Sequence, residues 1–303
     1  MRCQFKARIQ WRSAIKAIVA GTVLVFFGLS FYRGWHEIRG YEWNVRPWLV
    51  FFSFVLILAQ SFLGLLAWTM TVRSLGGDLS LRKSIRVYFV SNLGRYLPGT
   101  VWYAVGRAYL GKQQNVSAAI ISTSVMVEIV LAVTSGVLMS GLALPLILVH
   151  YGPYGAYLGG AVVVLGLIAL HPAVMKRLLG LLTRLLHCPN QVLSPVGYFS
   201  MLGLLIGYVF VWAFAGMGLF VLLNSICVVP LARLPTIIAI YAVSWIVGFF
   251  TPFAPSGLGV REGALTLLLA GFAPLPVAAA VALSLRLLMM LGDILWAALG
   301  AKL

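Results

Sequence analysis

Acids are scarce in this chain, six among 303 residues, and three of them, Glu128, Glu262 and Asp293, fall inside long apolar segments. A charge placed in hydrocarbon costs several kcal/mol, so such residues normally face a cavity or a partner and mark a functional site. Cations lie close by in sequence. Arg95 and Arg107 flank "YLPGT", Arg261 precedes Glu262 in "TPFAPSGLGVREGALTLLL", and Arg286 stands seven residues before Asp293. Seven residues are two helical turns, which puts Arg286 and Asp293 on one face about 10 Å apart. A ligand or another side chain has to come between them. Neighbours in sequence do not face each other on a helix. Arg261 is therefore expected to turn toward Asp293 or Glu128, and Glu262 toward Arg286 or Arg107. Pairing among these charges without any ligand satisfies the same residue types equally well.

Two backbone breaks accompany the charges. Pro98-Gly99 sits before a helix start with Thr100 as its N-cap, and "APSGLGV" repeats the device with Ser256 or Gly257 as the cap and Gly259 just after. A helix start exposes unpaired N–H groups and the positive end of a dipole, a ready site for an anion. Arginine next to it suits a phosphate, which a guanidinium binds bidentately. The chemistry expected of Arg95, Pro98, Gly99, Thr100, Arg107, Glu128, Ser256, Gly257, Gly259, Arg261, Glu262, Arg286 and Asp293 is substrate binding and translocation, not catalysis.

These residues need an apolar frame, and the composition supplies it. The chain is 62% hydrophobic and 9% charged, against about 25% charged in soluble domains. That is a polytopic membrane protein. The net charge of +16 does not signal nucleic acid, because Lys and Arg cluster in the N-terminal flank (Arg2, Lys6, Arg8, Arg12, Lys16) and in short loops such as "RSLGGDLSLRKSIR", as the positive-inside rule requires. Cys3, Cys188 and Cys227 are isolated and the four histidines show no metal-ligand spacing, so neither a disulfide framework nor a metal is implied. Without a Walker A motif, ATP hydrolysis has no support, and no cofactor is expected.

Apolar runs fall at about 15–32, 47–72, 116–142, 154–170, 196–223, 235–252, 258–272 and 276–299, with an interrupted one at about 84–111. The basic loops place the N-terminus in the cytoplasm, and the first run reads as an uncleaved anchor. Two segments fit poorly as simple spans. Residues 84–111 and 235–272 each consist of two pieces around a Pro/Gly break, and both pieces of the first are too short for a hydrocarbon core of about 30 Å. The first is entered from the cytoplasm and the second from outside. A span, a broken hairpin and a span therefore recur in opposite orientation, the pattern that marks a transporter's midplane site. The expected fold is all-α: a polytopic transmembrane bundle with two re-entrant hairpins in an inverted repeat, one integral membrane domain over residues 1–303 with units at about 47–142 and 196–299.

"SNLGRYLPGTVWYAVGRAYL", the glutamate of "SVMVEIVLAV" and "TPFAPSGLGVREGALTLLL", in that order, resemble the lysylphosphatidylglycerol synthase transmembrane-region family, over most of the chain from Val72 to Leu299. The resemblance implies a flippase-like core with two re-entrant hairpins meeting at a cavity. By motif it carries the family's hairpin arginine onto Arg95 or Arg107, its span glutamate onto Glu128 and its Arg-Glu pair onto Arg261 and Glu262. Ser256 departs from the second glycine of many relatives. The chain ends at Leu303, where full-length synthases continue into a soluble aminoacyl-transferase domain, so aminoacylation is not expected of it. The expected activity is movement between leaflets, in a cytoplasmic (inner) membrane, of an aminoacyl phospholipid or a polyprenyl-linked lipid. Membrane lipids are the expected partners, with lipid-modifying enzymes or glycosyltransferases and a homo-oligomer as further options. The alternatives are an enzyme acting on a lipid phosphate and a non-transporting partner of a glycosyltransferase.

Overall fold

The computed structural model describes residues 43–96, 102–147, 197–251 and 257–303, with isolated positions between 157 and 177. The expected spans at 15–32 and 154–170, and the break residues Pro98, Gly99, Thr100 and Ser256, lie outside the described residues or touch them only at isolated positions. Among the described residues every element is helical. They are α1 (Pro47–Ser74), α2 (Leu81–Asn92) with a 3-10 turn at Leu93–Tyr96, α3 (Trp102–Gln113), α4 (Ala118–Ile147), α5 (Tyr198–Asn224), a 3-10 turn at Leu231–Arg233 leading into α6 (Leu234–Phe249), α7 (Val260–Leu269) and α8 (Leu275–Lys302). The all-α class expected from composition is the class observed.

Local chemistry explains the boundaries. Pro47, Pro235 and Pro276 each stand in the first two positions of a long helix, where the missing N–H is lost to no bond. Within the helices, hydroxyls donate to the carbonyl one turn back, Thr69 to Leu65 at 2.8 Å, Thr71 to Ala67 at 2.9 Å and Ser135 to Leu131 at 2.6 Å. Each of these buried hydroxyls is thus satisfied within its own helix. Large apolar side chains stand on the outside instead, with Phe51 at 68% and Leu287 at 61% exposure, as a hydrocarbon surrounding favours. Five stretches are long and apolar enough to cross a membrane: Pro47–Ser74, Ala118–Gly141, Phe199–Asn224, Leu231–Phe249 and Leu275–Lys302. The fourth extends what the sequence suggests is half of a broken hairpin, because the 3-10 turn at Leu231–Arg233 lengthens α6 at its start.

Both interrupted segments are interrupted in the structure. The two pieces of the first fold back on each other: on α3, Arg107 donates to Ser91 and to Asn92 at the end of α2. In the second, a Cβ on Gly257 would lie 2.9 Å from the Cα of Gly248 near the end of α6. Each of α2 and α3 has 12 residues, a length of about 18 Å that cannot span a bilayer core.

Helix packing repeats between the halves. α1 packs on α5. α2 packs on α8 and α6 on α4, so each unit's broken segment lies against the other unit's last helix. α3 packs on α4 as α7 does on α8. Small residues allow these approaches: Ser53 on α1 donates to the carbonyl of Gly218 on α5 at 2.8 Å, the close backbone contact that glycine and serine permit between membrane helices. Trp68 and Trp212 each donate an indole N–H to a serine of α4, Ser124 at 3.1 Å and Ser135 at 2.9 Å.

The tightest approach supplies a test. A Cβ on Gly216 of α5 would lie 2.6 Å from the Cα of Ile238 on α6, so Gly216→Ala has to push two backbones apart. It should cost about 1–3 kcal/mol and lower the melting temperature in detergent, whereas Gly203→Ala, with open space around it, should not.

Candidate functional site

A cavity of about 320 Å³ opens between the two units, with walls from α1, α2, the 3-10 turn at Leu93–Tyr96, and α3 to α8. Water occupies about 30 Å³ per molecule, so this is room for roughly ten waters or a polar group of that bulk. Arg95, Arg107, Glu128, Gly257, Arg261, Arg286 and Asp293 all line it. Residues almost two hundred positions apart in sequence thus share one wall.

The first unit closes its charges locally. Arg107 is fully buried, and each of its nitrogens has an acceptor: Nη1 the carboxylate of Glu128, Nη2 the Oδ1 of Asn92 at 2.8 Å, Nε the hydroxyl of Ser91 at 3.4 Å. The guanidinium lies over Tyr88 at 4.2 Å, Trp68 at 4.9 Å and Tyr103 at 5.6 Å from the ring centroids. Ring faces carry negative charge, so this slot suits a weakly hydrated cation. Tyr88 also donates its hydroxyl to Glu128 at 3.3 Å.

The second unit distributes its charges differently. Asp293 on α8 reaches across to the first unit, accepting from the Tyr96 hydroxyl at 2.6 Å and standing 3.9 Å from Arg95. Arg286, two turns earlier on the same face of α8, lies 3.5 Å from Glu262 and over the ring of Tyr96 at 5.7 Å. The side chain expected between Arg286 and Asp293 is therefore Tyr96. Of the two partners open to Glu262, the structure selects Arg286.

Three expectations need correction. The helix after the second break begins later than Ser256 or Gly257, with Gly259 as its N-cap. Gly257 and Gly259 both adopt positive φ, 68° and 84°, a region that strains other residues, and the chain turns through them before the helix starts. Glu262 is not in the cavity wall. It reaches back to accept the Gly259 N–H at 2.5 Å, placing its own negative charge at the helix N-terminus, where the dipole favours it. That start is already occupied by an anion. Arg261 meets neither Asp293 nor Glu128, because Tyr96 with Arg95 and Arg107 have taken those carboxylates. Its guanidinium lies over Tyr241 at 5.0 Å and donates to the Met289 sulfur at 3.6 Å.

Sequence reasoning passes over the tyrosines Tyr88, Tyr96, Tyr103, Tyr208 and Tyr241, all in the cavity wall. A tyrosine in an apolar run reads most simply as an interfacial residue. The signal that would have found them is their position well inside the runs. Among the described residues no group of three or more His, Cys, Asp or Glu side chains is placed to hold a metal ion.

Comparison with known proteins adds the following. A family model described as the lysylphosphatidylglycerol synthase TM region matches residues 13–297. No curated protein matches the chain.

The buried pair and the looser one should respond differently to truncation. Glu128→Ala strands a fully buried guanidinium and should cost about 3–5 kcal/mol. Arg95→Ala removes a side chain that is 35% exposed and 3.9 Å from its partner, and should cost under about 1 kcal/mol. Thermal unfolding of both variants in detergent measures the difference.

Proposed function

The chain belongs to the lysylphosphatidylglycerol synthase transmembrane-region family, and from that premise we propose that it moves a lipid with an anionic or phosphate-containing headgroup between the leaflets of a membrane. It is a multi-pass membrane protein with five stretches fit to cross. The observation that carries the reading is the recruitment of charge to one cavity from both halves: Arg95, Arg107 and Glu128 from the first, Arg261, Arg286 and Asp293 from the second. Charge in hydrocarbon is costly, and a fold that only had to stand in the bilayer would have no use for it. A polar cavity gives a headgroup a path while the apolar chains stay in lipid.

In this reading the two broken segments are re-entrant hairpins of an inverted repeat, and the charges near their breaks meet at mid-membrane. Access alternates as one unit rocks against the other around the site. The Asp293 contact with Tyr96 and Arg95 joins the two units across the cavity, so it makes and breaks as they rock. The membrane is the cytoplasmic one, with the N-terminus inside, following the basic loops.

Reconstitution into vesicles carrying fluorescent lipids tests the function. The expected result is that a membrane-impermeant quencher reaches more of an anionic lipid than the outer leaflet holds, and that Asp293→Ala slows this exchange. Vesicles with protein that behave like empty ones, for several anionic lipids, would sink the reading.

A further inference from the structure

Resting on that reading, we propose that Arg261 is the residue that receives the headgroup phosphate, and that the lipid carries a phosphodiester of single negative charge whose apolar part leaves along Trp212, Trp245 and Phe249. Four arginines line the cavity. Arg107 has Glu128, Arg95 has Asp293, and Arg286 has Glu262. Those three carboxylates are matched one to one, which leaves one positive charge, on Arg261. Among the described residues Arg261 has no carboxylate within ion-pair distance, though it is only 7% exposed.

Its present contacts are soft. A guanidinium has five N–H donors, and here a thioether sulfur accepts from one nitrogen and a ring face lies below. Sulfur is a weak acceptor, so among the described residues most of the donor capacity of this buried cation finds no acceptor, in a side chain that lines the cavity. Unmade hydrogen bonds on a buried charge are costly. An oxyanion entering the cavity offers the planar, two-point acceptor that the guanidinium fork fits.

The mounting is rigid. A Cβ on Gly248 would lie 2.8 Å from the Cβ of Arg261, and one on Gly257 would lie 2.9 Å from the Gly248 Cα. The base of Arg261 therefore sits directly against the last turn of α6. That same turn carries aromatic rings. Trp212 meets Trp245 at 5.3 Å, Trp245 stacks on Phe249 at 5.1 Å, and Phe249 meets Phe250 at 5.5 Å between centroids. Exposure along this file rises from 4% at Trp212 to 39% at Phe249 and 66% at Phe250. It forms an apolar wall running from beside the cation to the outer surface.

Charge then selects the headgroup. A phosphodiester carries one negative charge and matches the one unmatched cation. A phosphomonoester near neutral pH carries about −1.5 to −2, and a pyrophosphate more, so either brings an anion in excess toward Glu128 and Asp293. Both would be disfavoured there by like-charge repulsion in a poorly solvated cavity.

Binding and exchange are measured separately on the full chain. In detergent, tryptophan fluorescence follows titration with short-chain phosphatidylglycerol, short-chain phosphatidic acid and dimethyl phosphate. Wild type should bind the phosphatidylglycerol at least about tenfold more tightly than the other two. Arg261→Gln should weaken that binding by about tenfold or more, and Arg261→Lys should restore part of it, since charge returns without the fork. Unchanged binding by a folded Arg261→Gln protein, or phosphatidic acid bound as tightly by wild type, would overturn the proposal; the second needs no variant to fold. Dimethyl phosphate bound as tightly as the lipid would overturn the lipid as its source. In vesicles, a wild type that exchanges no lipid but binds in an Arg261-dependent way ends the transport reading and leaves this one standing. Exchange that survives Arg261→Gln with binding unchanged does the reverse.

Discussion

The guanidinium of Arg107 has lost all contact with water, and everything around it follows from the need to hold that charge. Its desolvation would cost far more than a helix bundle can supply, so each nitrogen finds an acceptor and the rings of Trp68 and Tyr88 lie against it. Those partners come from different elements: Ser91 and Asn92 from α2, Trp68 from α1, Glu128 from α4. One ion pair thereby ties the broken segment of the first unit to two long helices. At the end of α2, next to the interruption, the side chains of Ser91 and Asn92 accept from that same guanidinium.

Against that closed arrangement the second unit is open. Here α3 packs on α4 and α7 on α8, yet the charges on the two sides are held differently. Asp293 on α8 is bound across the cavity to Tyr96 and Arg95. Glu262 is drawn away to cap its own helix. The consequence is an imbalance localised at Arg261, beside an aromatic wall that reaches the surface.

Much of this is readable in the residues alone. Long apolar runs with few charges define the helices, because only a helix satisfies its backbone groups in hydrocarbon. The breaks at residues 84–111 and 235–272 are visible as clustered Pro and Gly, the residues whose backbone chemistry least favours a continuing helix. The charged set is visible because charge is rare in such a chain, and Arg95, Arg107, Glu128, Arg261, Arg286 and Asp293 all reach one cavity. The tyrosines escaped notice, because a side chain with an apolar body and a polar tip fits an interface, a core or a cavity equally well.

By itself the sequence determined the solvent, the helical class, the places where helices fail and the small group of residues that needed partners. These are local properties, set by transfer energies and backbone sterics that no distant residue alters. Only the tertiary structure decided who pairs with whom. Arg261 could have met Asp293 or Glu128, and which arginine wins a carboxylate depends on distances between helices that are far apart in the chain. The packing of α2 against α8 brought Tyr96 and Arg95 to Asp293 first, and the turn at Gly257 and Gly259 sent Glu262 back to its own backbone. Ion pairs act over a few ångströms, so the remaining positive charge could be assigned to Arg261 only once those few ångströms were known.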